Sequence, residues 1–137
     1  MNLIEEMIEC RKDLEKNYIA SGLWESVQTV GAIPDSREGS TGIVLGTYLY
    51  LFGGFSRDLY QDLRKIDLTS GKRWILYHFV GEKPPARFNH TMVAWKNKYL
   101  IIFGGAATYL RSCKMRLCLQ DLFIFDSHRE IWKKIPE

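Results

Sequence analysis

Short apolar runs separated by turn residues dominate the chain from residue 41 onward. The runs 41–45 and 91–95 are largely aliphatic, and the runs 48–52 and 99–103 combine aromatic and aliphatic residues. The latter two each lead into a pair of glycines, as expected where a backbone needs positive φ or passes close to another segment. Runs of this length between turns predict β-strands.

The same pattern predicts two further strands after each glycine pair. The runs 63–68 and 122–126 are candidates for a third strand. Trp74 and Trp132 each follow a polar turn and fall in a fourth strand. The chain is therefore predicted to hold two groups of four strands.

The two groups are copies of each other. Val, Gly, Pro, Arg and Thr of residues 30–41 recur in residues 80–91 at an offset of 50. The heptapeptide at 48–54 recurs at 99–105 at an offset of 51. Matches in the same order at a nearly constant offset indicate an internal repeat.

The offset grows toward the end of the repeat and so locates an insertion. DLRKID at 62–67 is echoed by DLFIFD at 121–126 at an offset of 59, and the tryptophans by 58. The extra residues lie at 106–120, whose counterpart at 55–61 is shorter. A period of about 50 residues fits one four-stranded propeller blade per repeat.

These repeated residues resemble the kelch repeat, and the resemblance covers about residues 24–135. It rests on a double glycine after an apolar strand, a later acid and a spaced tryptophan, each present twice. The motif residues are Gly53, Gly54, Asp67, Trp74, Gly104, Gly105, Asp126 and Trp132. The resemblance implies an all-β fold of two four-stranded antiparallel kelch blades, which form an incomplete β-propeller.

The predicted organisation has two parts. Residues 1–20 have the apolar spacing of a short amphipathic N-terminal helix. Residues 21–137 hold the two repeats, with blades at about 41–80 and 91–135 and a strand of a preceding blade near 24–29.

The first blade departs from the second in its third strand. Arg64 and Lys65 stand where the second repeat has Phe123 and Ile124. Two charges in a blade strand predict either a solvent-facing position or weaker packing there.

Two blades are fewer than a propeller needs, since propellers close with four to eight. Three explanations are open: the chain is part of a larger propeller, several copies assemble, or it is a truncated product without function. The first and the third are favoured over assembly.

The longer loops are predicted to share one face and to bind a protein partner. Alternate loops of a meander lie together, and loops on a rigid scaffold commonly carry binding sites. Arginine with aromatic residues is typical of interface hot spots, and the basic residues favour an acidic segment in the partner. The candidates are Arg57, Tyr60, Arg87, Tyr109, Arg111, Lys114 and Arg116.

Structural roles compete with binding at several positions. Arg37 and Arg87 recur at matched positions, which favours a role in the blade architecture. His90 fits a structural histidine, and Asp67 and Asp126 fit acceptors that hold turns.

No motif of catalysis, nucleotide binding or metal binding was found. The sequence predicts a protein that is not an enzyme and has no cofactor or metal, with an enzyme fragment of the galactose-oxidase or sialidase type as the alternative. Net charge is only +3 without a long basic run, so no nucleic-acid partner is predicted. Three cysteines and no apolar span predict a cytoplasmic or nuclear protein without membrane association.

Overall fold

The computed structural model describes residues 26–78, 81–110 and 114–136. Every regular element in these residues is a β-strand, and none of them forms a helix that could cross a membrane. The all-β prediction is therefore confirmed. The helix predicted at 1–20 lies outside the described residues.

The first repeat folds into one five-stranded sheet. Its strands are β1 (Val30–Gly31), β2 (Thr41–Leu45), β3 (Tyr48–Phe52), β4 (Leu63–Asp67) and β5 (Arg73–Leu76). Strands β2 to β5 form an antiparallel meander, and β1 lies parallel to β5 at the sheet edge. The meander is the predicted blade.

The second repeat folds into a four-stranded sheet with an inserted hairpin. Its strands are β6 (Thr91–Trp95), β7 (Tyr99–Phe103), β8 (Ala106–Leu110), β9 (Met115–Cys118), β10 (Leu122–Asp126) and β11 (Ile131–Ile135). The blade has the order β11-β10-β7-β6, while β8 and β9 pair only with each other. The insertion expected as a loop is thus a two-stranded hairpin.

The strand predicted near 24–29 lies partly outside the described residues, which begin at residue 26. Residues 26–29 carry no strand, and β1 begins at Val30. The Val30 N–H donates to the Lys72 carbonyl at 3.1 Å, and the Ala32 N–H donates to the Trp74 carbonyl at 2.9 Å. The segment before the first blade therefore pairs with that blade's own outer strand.

The core lies between the two blades, which pack face to face. Alternating residues of both sheets point into it, as a strand period of two requires. The Phe52 ring lies 5.6 Å from Trp132, and Tyr50 lies 6.5 Å from Phe125, centroid to centroid. The buried cluster comprises Leu45, Tyr50, Phe52, Leu63, Tyr77, Met92, Leu100, Ile102, Phe123, Phe125 and Trp132.

The two charges in β4 are accommodated by specific contacts. The Arg64 guanidinium donates to the carbonyls of Ala32 at 2.6 Å and Ile33 at 2.9 Å, so it ties the preceding linker to the sheet. The Lys65 ammonium lies 4.5 Å from the Tyr48 ring centroid and 4.8 Å from that of Tyr77. Aromatic faces attract such a cation, so β4 keeps its place in the blade.

Candidate partner-binding surface

Arg87 is part of the architecture of the second blade. Its side chain is fully buried, and its guanidinium forms a bidentate pair with Asp121 at 2.6 and 2.9 Å. The same Nη1 donates to the Gly104 carbonyl at 2.9 Å. A guanidinium with these contacts and no exposure cannot reach a partner, so Arg87 is corrected from a binding candidate to a structural residue.

Arg37 makes the matched contacts in the first blade. Its Nη1 lies 2.6 Å from Asp62 and donates to the Gly53 carbonyl at 3.1 Å. Arg64 adds a second ion pair to Asp62 at 2.6 Å. Burial raises the pKa of Asp62, but hydrogen bonds from Arg37 and Arg64 outweigh it and hold that pKa below the ordinary value. Each blade thus anchors its double-glycine end with one arginine–aspartate clamp.

His90 lies at the joint between the blades. Its ring packs edge-on against Phe52 at 5.4 Å, and it is only 7% exposed. Neither imidazole nitrogen has a hydrogen-bond partner among the described residues. Burial and the positive charge of Arg87 lower its pKa to about 4, so His90 is neutral near pH 7.

Matched backbone bridges join each linker to the loop of its own blade. Glu38 and Phe55 exchange hydrogen bonds of 2.8 and 2.9 Å, and Phe88 and Ala106 exchange bonds of 3.0 and 2.9 Å. The two segments are joined by the Gly54 N–H, which donates to the Arg87 carbonyl at 2.8 Å, and the rings of Phe55 and Phe88 lie 5.8 Å apart. This aromatic pair spans the boundary between the two repeats.

The hairpin places an arginine on this aromatic pair. The Arg116 guanidinium lies 4.6 Å from the Phe88 ring centroid and 5.1 Å from that of Phe55. We call these three residues the Arg116 stack. Tyr109 pairs with Arg116 across the hairpin and therefore shares its face, while being 47% exposed.

The opposite face of the hairpin presents apolar side chains to solvent. Met115 is 64% exposed and Leu117 is 48% exposed. Lys114 is also exposed and adopts a positive φ of 53° just before β9. Residues 106–120 contain three basic residues and no acidic residue; Arg111, one of the three, lies outside the described residues.

The loop between β3 and β4 borders the same region. Arg57 is exposed and lines a shallow open depression. Tyr60 is half-buried, with the Arg37 guanidinium 3.8 Å above its ring. The depression is lined by Ser36, Arg37, Glu38, Phe55, Ser56 and Arg57.

The structure thus divides the predicted binding residues. Tyr109 and Arg116 come together on the hairpin, with Lys114 at its turn, and Arg57 lies on the loop that carries Phe55. The exposed Met115 and Leu117 were not among the predicted residues. Their alternation with Arg116 is a two-residue period that predicts a strand, and it was the one available signal.

The repeated aspartates and tryptophans hold the blades. Asp67 Oδ1 accepts from the Thr69 N–H at 2.9 Å, and Asp126 Oδ1 accepts from the His128 N–H at 3.0 Å. Trp132 is 2% exposed in the core, whereas Trp74 is half-buried. In the part of the chain that the structure describes, no group of three or more His, Cys, Asp or Glu is placed to hold a metal ion.

Known proteins share both the sequence pattern and the fold. The KLHDC2/KLHL20/DRC7 Kelch-repeats domain matches residues 5–137. Kelch repeat-containing protein 2 of Saccharomyces cerevisiae is 40% identical over 103 residues, covering 68% of this chain and 12% of that protein. Acyl-CoA-binding domain-containing protein 5 of Arabidopsis thaliana is 31% identical over 113 residues, covering 81% of this chain and 16% of that protein.

More distant similarity extends the comparison. Kelch domain-containing protein 3 of Rattus norvegicus is 28% identical over 118 residues, covering 82% of this chain and 30% of that protein. The structure of YjhT matches with a TM-score of 0.57 at 15% identity, over 74% of this chain and 37% of that chain, and shows a shared fold. The chain spans less than a third of the length of these three curated relatives. The family match over nearly the whole sequence, together with the doubled blade, shows that the chain belongs to the kelch-repeat family.

Proposed function

We propose that the chain is a non-catalytic kelch-type module that binds a protein partner through the β8–β9 hairpin and the neighbouring β3–β4 loop. The observation that carries the proposal is the Arg116 stack, which holds the hairpin on an aromatic pair of the blades. Exposed Met115 and Leu117 are then presented from a supported scaffold. Arginine and large apolar side chains on a supported surface are the usual composition of binding hot spots.

The partner segment is acidic in this proposal. Lys114 and Arg116 are exposed on a hairpin whose sequence has no acidic residue to neutralise them. A basic surface steers and orients an acidic partner. We assign the preference for an acidic partner to the hairpin, because Arg37 and Arg87 are buried in ion pairs with Asp62 and Asp121.

Further blades or another copy of the chain complete the module in this proposal. Val93, Trp95, Phe103 and Ile131 are between 45% and 52% exposed on the side of the second blade that faces away from the core. Propellers cover such faces with neighbouring blades. A reducing cytoplasmic or nuclear setting fits the free, exposed thiol of Cys118.

Site-specific photo-crosslinking tests the binding surface. A photoreactive residue at Tyr109 should capture a discrete partner from cell extract, and the same residue at the exposed Arg129 of the β10–β11 turn should not. Replacing Lys114 and Arg116 with Ser should remove the Tyr109 product. Equal capture from both positions, or capture that survives the double replacement, would reject this surface.

A further inference from the structure

The outer edge of β9 is open to another strand. Strand β9 pairs with β8 alone, and in the described part of the chain its backbone makes no other hydrogen bond. All four of its residues are exposed. Alternate residues of such a strand direct their N–H and C=O groups away from their only partner, which is a template for strand addition.

The other edge of the hairpin is already occupied where it meets the blade. Ala106 of β8 exchanges two hydrogen bonds with Phe88. This bridge and the Arg116 stack hold the hairpin against the blades. The β9 edge therefore belongs to a hairpin that is already held against the blades, and the ligand does not have to order it, which lowers the entropic cost of binding.

The two faces of β9 differ in chemistry. Arg116 lies on the face toward the aromatic pair, whereas its neighbours Met115 and Leu117 lie on the opposite face. An added strand would place its successive side chains beside these two faces in turn. Cross-strand neighbours are stabilised when charges are opposite or when both side chains are apolar.

We infer that β9 binds an extended partner segment in which acidic and apolar residues alternate, by adding that segment as a third strand of the hairpin. The acidic residues lie beside Arg116, and the apolar residues lie beside Met115 and Leu117. Backbone hydrogen bonds supply affinity, and the alternation supplies specificity. This inference rests on the proposed function, because it specifies the ligand of the same hairpin.

Three short fluorescein-labelled peptides test the inference with the full 137-residue chain. The first alternates Glu and Val, the second has the same composition with all Glu before all Val, and the third is the first with alternate backbone nitrogens methylated. Fluorescence anisotropy should show the alternating peptide binding at least about tenfold tighter than either control. Methylation removes the backbone donors without changing charge, so it isolates strand addition.

Variants of the chain locate the site. Arg116→Ser and Leu117→Ser should each weaken binding of the alternating peptide by about tenfold. Lys133→Ser removes an exposed charge on β11 and should leave the affinity unchanged. Circular dichroism confirms that each variant keeps its β-structure.

Different failures separate this inference from the proposed function. Equal affinity for the block or methylated peptide would overturn strand addition, while charge-dependent binding by the hairpin would stand. Absence of binding by all three peptides would also overturn the inference. The proposed function itself falls only with the crosslinking result at Tyr109.

Discussion

Phe52 and Phe103 occupy the same position of two successive blades, yet Phe52 is fully buried and Phe103 is 52% exposed. Phe52 packs on Trp132 of the second blade, and Phe103 points to the side where a third blade would lie. The same contrast separates Leu45 at 5% from its counterpart Trp95 at 46%. Both blades thus have the same apolar face, and among the described residues this face is buried only in the first blade.

The first prediction compares the two phenylalanines. Phe52→Ala should lower the free energy of unfolding by about 3–5 kcal/mol, because it leaves a cavity in the core. Phe103→Ala should change it by less than about 1 kcal/mol, because half of that side chain is already in water. Urea denaturation of both variants measures the difference, and equal losses would show that Phe103 is covered too.

The second prediction concerns the clamp in the second blade. Arg87→Ala should cost about 3–5 kcal/mol, because it leaves Asp121 and the Gly104 carbonyl without their donor. Arg87→Lys should restore little of the lost stability, since an ammonium cannot form the bidentate pair with Asp121. The exposed Arg57→Ala is the matched control and should stay within about 0.5 kcal/mol of the parent. A thermal melt in which all three variants coincide would refute the clamp.

The third prediction uses glycines with nearly the same φ, between 65° and 66°. A Cβ at Gly53 would lie 2.5 Å from the Arg87 carbonyl oxygen, one at Gly104 would lie 3.2 Å from the Leu119 oxygen, and one at Gly71 would meet nothing within 4 Å. Gly71→Ala should therefore lower the free energy of unfolding by only about 1–2 kcal/mol, the cost of holding a residue with a Cβ in the left-handed conformation.

The added Cβ of Gly53→Ala would clash with the Arg87 carbonyl, so this variant should lose about 1–3 kcal/mol more unfolding free energy than Gly71→Ala. Gly104→Ala should fall between them. Guanidinium unfolding gives the order, and a Gly53 variant no worse than the Gly71 variant would contradict the close approach of the blades.

The fourth prediction is a pH dependence from His90. Its pKa is about 4 in the folded chain and about 6.5 when unfolded, so the unfolded state takes up the proton first as the pH falls. The free energy of unfolding should be greatest above pH 6.5 and should decline by roughly 3 kcal/mol as the pH falls to 4. Asp62, with its lowered pKa, adds its loss only at lower pH.

His90→Gln is the control for this titration. Urea midpoints of the variant should be nearly flat between pH 6.5 and 4.5, where the parent declines. A parent chain whose midpoint does not fall over that interval would show that His90 is accessible to protons in the folded state.

Local pattern was sufficient for most of the fold. The apolar runs and glycine pairs predicted β3 and β7 at their observed positions, because strand boundaries here coincide with turn residues. The hairpin was missed as structure, since its polar turn interrupts two short strands that have no counterpart in the first repeat. A length difference between repeats reveals an insertion but says nothing of its conformation.

The site was less predictable because its key contacts are distant in sequence. Arg87 meets Asp121 from 34 positions away, and that pairing removed it from the predicted surface. Arg116 meets Phe88 across the repeat boundary. The recurrence of Arg37 and Arg87 at matched positions was the signal that pointed to an architectural role.

The central claim is that the two repeats are successive blades packed through a shared aromatic core. Nuclear Overhauser spectroscopy of chain with labelled Phe and Trp measures that contact directly, since the Phe52 and Trp132 ring centroids lie 5.6 Å apart. We expect cross-peaks between these two rings, assigned by their loss in Phe52→Leu. A dispersed β-sheet spectrum that lacks them would contradict face-to-face packing of the blades.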